Sequence, residues 1–191
     1  SDVYKRQGDW VTLDEVSAGY CSHAADSSWH GTHVAGLVGA AGNNSAGGLG
    51  VAFGAKVLPV RVLGRCGGYT SDILAGARWA AGLTVPGVPV NTTPARVLNL
   101  SLGVDGPCDS AWQEVMNEVL ARNISIVAST GNNGSTSITK PANCSGVVAV
   151  TAHDRYGRNA SYANLGAEVA ISAPGGDSDG PVSYTHLRAH E

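Results

Sequence analysis

Residues 124–134 read Ile-Ser-Ile-Val-Ala-Ser-Thr-Gly-Asn-Asn-Gly, an uncharged apolar run that stops on a turn. The run over 124–128 is too short for a stable helix and carries β-branched residues, so it predicts a short buried strand. Working back towards the N-terminus, residues 109–122 place Trp112, Val115, Met116, Val119 and Leu120 at helical spacing, with Asp109 or Ser110 able to cap. Residues 96–101 (RVLNLS) predict another strand, and 73–83 another helix, packed through Ile73, Leu74, Ala77, Trp79 and Ala80 after capping chemistry at Thr70, Ser71 and Asp72. Residues 56–63 (KVLPVRVL) read as a strand in which Pro59 requires a bulge or an edge. Residues 30–41 predict a helix with Val34, Leu37 and Val38 on one face. Towards the C-terminus, 147–151 and 169–172 are further strands. Strands and helices alternating in this way, with nearly continuous apolar strands, predict one α/β domain: a parallel sheet with helices on both faces, in three layers. Residues 8–29, 42–50 (GNNSAGGLG) and 85–94 read as loops.

Parallel sheets of this kind bind ligands outside the carboxyl ends of their strands. Three loops with unusual chemistry are expected at that edge, 63–69, 101–106 and 129–134, converging beside the helix that begins at His30. The stretch 30–36 reads His-Gly-Thr-His-Val-Ala-Gly. A histidine in a first helical turn faces the positive end of the helix dipole, so a neutral imidazole is expected there, available as a base. Gly31 leaves room for a substrate or nucleophile to approach.

Composition narrows the function classes. The 191 residues include 26 glycines, 14% are charged, and the formal net charge is −3. No basic patch recommends nucleic acid as a partner, and no apolar run is long enough to span a membrane. The two ends depart from this pattern. Residues 1–7 (SDVYKRQ) and 182–191 (VSYTHLRAHE) can be back-translated into codons that are reverse complements through GATGTGTATAAGAGAC. Both are therefore expected to be translated transposase-type sequencing adapter, leaving residues 8–181 as a partial domain truncated at both ends.

Three blocks in order resemble the subtilisin-like serine proteases, the subtilases: His-Gly-Thr-His-Val-Ala-Gly at 30–36, Asn-Leu-Ser-Leu-Gly at 99–103, and Ala-Ser-Thr-Gly-Asn at 128–132. The run Val-Arg-Val-Leu-Gly-Arg-Cys-Gly-Gly-Tyr at 60–69 is similar to that of secreted bacterial members. The resemblance covers essentially all of 8–181. It implies a subtilisin-like fold, a monomeric secreted endopeptidase, and a polypeptide substrate. It implies that His30 is the general base and that Asn132 donates to the oxyanion. Ser101, Leu102 and Gly103 would pair with substrate backbone on one side, and Gly67, Gly68 and Tyr69 on the other, by strand addition. Leu63 and Tyr69 would line side-chain pockets, with Ser129, Gly131 and Asn133 around the residue before the cut. With no acidic cluster among these positions, broad or apolar specificity is expected. Asn44, in a loop resembling a calcium loop of the family, would ligate a structural calcium; no catalytic cofactor is implied. His33 would be structural; a metal site built on His30 and His33 lacks a convincing third ligand.

The four cysteines point to an oxidising compartment. A Cys66–Cys108 disulfide is expected because both lie in loops read as leaving adjacent strand ends, with Cys21 and Cys144 free or deprived of partners. The family's Asp-Thr-Gly or Asp-Ser-Gly triplet and its Gly-Thr-Ser-Met-Ala block do not occur in the sequence. The expectation is an inactive fragment of a secreted serine endopeptidase, with exposed apolar surface where the missing elements would pack. The alternative is a non-catalytic subtilase-like peptide-binding domain.

Overall fold

The computed structural model describes residues 10–45 and 47–177; the two terminal stretches read as adapter lie outside the described residues. The elements run α1 (Leu13–Ser17), α2 (His30–Gly39), α3 (Thr70–Ala80), β1 (Val97–Leu100), α4 (Ser110–Leu120), β2 (Ser125–Ser129), β3 (Val148–His153) and β4 (Val169–Pro174). The chain divides into two compact units, one reaching Gly76 and the other beginning at Ala77, within α3.

The second unit is built on a parallel four-stranded sheet in the order β1-β2-β3-β4, as the alternating pattern predicts. The register sets Leu98 beside Ile126 and Ala128 beside Ala149, so these side chains share one face. All four are buried, and Ile138, Ala142, Leu100, Val147 and Val169 pack into the same core around Ala128 and Ala149. The alternate positions point the other way: Val97 and Ile171 are 56% and 57% exposed, so the second face carries uncovered apolar side chains.

The helix α4 forms because Asp109 accepts a hydrogen bond from the Trp112 backbone N–H (3.2 Å). Its residues Trp112, Val115, Met116 and Val119 make one buried stripe, and the helix lies against β2. Each such side chain contributes roughly 1.5–3 kcal/mol by leaving water. Arg78 of α3 clamps Glu118 of α4 through Nε (2.6 Å) and a second guanidinium nitrogen (3.1 Å), a two-pronged contact that fixes α3 beside α4.

In the first unit, α1 was not expected within 8–29. Thr12 and Glu15 form a reciprocal capping box, the Thr12 hydroxyl accepting from Glu15 N and the Glu15 carboxylate from Thr12 N. Residues 56–63 form no strand, contrary to the reading of KVLPVRVL. Pro59 has no N–H to offer a ladder, and the segment instead packs side chains on α3, where a β-carbon at Gly76 would meet Val60 and Val62.

Three carboxylates carry a pH signature. A hydrogen bond from the Lys140 ammonium, joined by the Trp112 N–H, holds Asp109 below its usual range. The Arg78 hydrogen bond does the same for Glu118. Burial pushes Asp154 up, but the Arg158 and Tyr156 backbone N–H groups and the Arg158 guanidinium outweigh it, and its net shift is downward. In each case the folded-state pKa is the lower one, so the unfolded chain binds more protons in acid and stability is lost as pH falls. Chemical denaturation should show stability level above about pH 5, then falling below the unfolded values of about 4. Asp154→Asn should flatten part of that fall; an unchanged acid limb in this variant would remove Asp154 from the account.

Candidate active site

In the first unit, His30 is the first residue of α2, and its backbone N–H donates to Ser28 Oγ (3.3 Å). The predicted helix stops two residues early, at Gly39. Leu63 is half-buried and precedes a tight turn in which Gly64 N–H donates to Gly67 C=O (2.8 Å). Gly68 must be glycine, because a β-carbon would run into the Val62 carbonyl and Leu63. Tyr69 is 79% exposed, and its carbonyl accepts from Asp72 and Ile73 at the start of α3. The turn is anchored twice: by a disulfide from Cys66 to Cys21 and by an ion pair from Arg65 to the buried Glu15.

That pairing corrects the sequence expectation. The disulfides are Cys21–Cys66 and Cys108–Cys144, with Cα separations of 5.7 and 5.1 Å, and no described cysteine is free. The expected Cys66–Cys108 pair assumed that residues 56–63 were a strand beside 96–101. They are not a strand, so the turn carrying Cys66 does not leave a sheet edge.

In the second unit, two of the three expected loops leave the same edge. Residues 101–106 follow β1 and residues 130–134 follow β2, its parallel neighbour. The first loop is tied to the segment after Ile138 by paired backbone bonds between Val104 and Lys140 (2.9 and 3.0 Å). Lys140 also meets Asp109 at 2.7 Å, Asn143 Nδ2 donates to Gly106 C=O (3.0 Å), and the Cys108–Cys144 bridge closes the same seam. Ser101 and Leu102 are half-buried there, Ser101 accepting from Asn99 Nδ2 at 2.9 Å. Gly103 has no room for a side chain against Thr139.

The second loop begins at Ser129, the last residue of β2. Thr130 donates to Val150 C=O (3.1 Å) and Thr139 to Thr130 C=O (2.9 Å), so the strand end is held from both sides. Gly131 adopts φ +111°, and a β-carbon there would press into Asn164 Nδ2 and lie 2.9 Å from Thr139 Cγ2. Both the backbone conformation and the space therefore demand glycine. Asn132 and Asn133 are exposed on the turn that follows. Ser129, Gly131, Asn132, Thr151, Tyr162 and Gly175 line a cavity of about 170 Å³ at the carboxyl end of β2, β3 and β4. Thr139, Tyr162 and Asn164 were not singled out in the sequence; a lone Thr, Tyr or Asn in a loop gives no signal until the fold places it.

A subtilase family model matches residues 7–190. The chain belongs to the subtilase family. It is 49% identical over 170 residues to an extracellular protease of Xanthomonas campestris pv. campestris, covering 88% of this chain and 29% of that protein. An extracellular basic protease of Dichelobacter nodosus is 47% identical over 173 residues, covering 88% of this chain and 28% of that protein. Among solved structures, a protease of Pseudoalteromonas arctica PAMC 21717 superposes with a TM-score of 0.84 at 46% identity, covering 91% of this chain and 50% of that chain. The subtilase chain thus spans less than a third of these two curated relatives.

The loop carrying Asn44 offers a neutral amide oxygen and backbone carbonyls, but residues 41–50 hold no carboxylate. No group of three or more His, Cys, Asp or Glu gathers anywhere among the described residues. A calcium ion needs more anionic oxygen than this loop provides, so the residues of this loop do not by themselves fit a complete site. No helix among the described residues is long and apolar enough to cross a membrane.

Proposed function

We propose that this subtilase chain supplies the general base and the oxyanion donor of a secreted, monomeric serine endopeptidase of broad or apolar specificity. The observation that carries the reading is the oxyanion loop. Asn132 stands on a turn whose entry, Gly131, tolerates only glycine, at the mouth of a cavity at the carboxyl end of the sheet. A neutral amide on a rigid strand-end turn suits the negative charge that develops on a scissile carbonyl oxygen. In this reading His30 takes the proton of a serine hydroxyl as that oxygen attacks the peptide carbonyl, then delivers it to the departing amine. Ser101, Leu102 and Gly103, pinned along 138–144, would pair with the substrate backbone beside the cut. By the family resemblance, Leu63, Gly67, Gly68 and Tyr69 of the first unit would also contact substrate, and Ser129, Gly131 and Asn133 would border the pocket before the cut. The cavity lining contains no charged side chain, which favours apolar or mixed residues there. Two disulfides, and relatives named extracellular, support secretion.

The 191 residues contain neither Asp-Thr/Ser-Gly nor Gly-Thr-Ser-x-Ala, so the chain by itself is expected to hydrolyse no peptide. The test is a chimera in which this chain replaces the matching 170 residues of the Xanthomonas protease. The chimera should cleave casein and react with a fluorophosphonate probe, whereas the isolated chain does neither. A chimera that folds and binds peptides without cleaving them would leave a non-catalytic peptide-binding domain.

A further inference from the structure

Asn164 lies outside every motif of the site, in the loop between β3 and β4, and is 1% exposed. Its side-chain oxygen accepts two backbone N–H groups, from Asn133 (2.9 Å) and Ser135 (3.0 Å). Its own backbone N–H donates to Gly131 C=O (3.0 Å). Its carbonyl accepts from the Thr151 hydroxyl of β3 (3.0 Å). One residue therefore grips the loop on both sides of Asn132 and fastens it to the sheet. Gly134 adds a further tie, donating to Tyr162 C=O at 2.7 Å.

The side-chain nitrogen of Asn164 is buried without a hydrogen-bond partner among the described residues. A buried amide left half-satisfied costs stability. An apolar residue would avoid that cost but could accept neither N–H. The chain thus tolerates an orphan donor in order to place one acceptor under the loop, and Gly131, with no side chain, leaves the space that this nitrogen occupies.

We propose that Asn164 is the positioning residue of the oxyanion loop, holding Asn132 in place by accepting the Asn133 and Ser135 backbone N–H groups. Asn164 touches no reacting atom in this assignment; it acts through Asn132. The catalytic consequence rests on the peptidase reading above, whereas the clamp itself does not. A misplacement of about 1 Å in a catalytic group can cost about 10²-fold in rate.

Two measurements test it. In the full 191-residue chain, amide hydrogen exchange by NMR should show the Asn133 and Ser135 N–H groups losing protection in Asn164→Ala, while Ile126 and Ala128 of β2 keep theirs. Asn164→Asp, which retains an acceptor, should restore much of that protection. Unchanged exchange at Asn133 and Ser135, or equal loss across β2, would overturn the clamp. In the chimera, Asn164→Ala should lower kcat about 10²-fold with KM little changed, and should cost little more once Asn132→Ala is present. The same factor in both backgrounds would overturn the positioning role. If the unsubstituted chimera has no peptidase activity, the peptidase reading falls and the positioning role falls with it. The exchange measurement then still decides the clamp.

Discussion

Replacing His30 with alanine in the chimera should lower kcat by a factor on the order of 10⁶. That size is the one known for the histidine of subtilisin itself, a member of this family, and is adopted from there. The physical reason for so large a loss is that one imidazole serves twice, as base for the attacking hydroxyl and as acid for the departing amine. Without it the serine proton has no acceptor of suitable basicity near pH 7. Asn132→Ala should cost less, about 10²–10³, again the range known for subtilisin, because the second oxyanion donor and the nucleophile survive. The order of the two effects is the sharper expectation. Comparing kcat for the two variants decides it: a chimera whose His30→Ala form stays within tenfold of the parent does not use His30 as its base.

The largest expected effect on stability is at Trp112. Its side chain has no solvent exposure, in the buried stripe of α4 with Val115, Met116 and Val119. Trp112→Ala should destabilise the second unit by about 3–5 kcal/mol, through lost burial and the cavity left behind. Against a typical total of about 5–15 kcal/mol, that is a large share. The indole nitrogen is buried without a partner among the described residues, so Trp112→Phe removes an unpaired donor along with volume. Phenylalanine should therefore cost much less than alanine. Urea denaturation of the two variants checks it, and equal losses would show that the ring makes no difference at this site.

Periodicity over α4 and the short apolar runs 96–101, 124–128, 147–151 and 169–172 made the parallel sheet legible, because buried parallel strands advertise themselves by composition. The reading failed where a run looked like a strand but lacked a ladder. The apolar content of 56–63 masks the missing N–H of Pro59, and the expected Cys66–Cys108 pair rests on the same run being a strand. The capping box at Thr12 and Glu15 was visible as a Thr-x-x-Glu spacing, but a five-residue helix has almost no periodicity to confirm it. Within the site, motif residues were legible because their chemistry depends on residue type in fixed order. Asn164 was not, since its importance comes from two backbone N–H groups brought to it from thirty residues upstream, and no local pattern encodes that.

The seam between residues 104–109 and 138–144 has a consequence for endurance. A backbone ladder, an ammonium–carboxylate pair and a sulfur bridge hold it together, and each yields to a different agent: denaturant, salt or acid, and reductant. No single change of medium undoes all three. A segment enters a protease's cleft only after it has lifted off its support over several residues. Bonds of unlike chemistry along one short seam keep that lifting rare, so reductant alone or salt alone should not open this stretch of backbone to nicking.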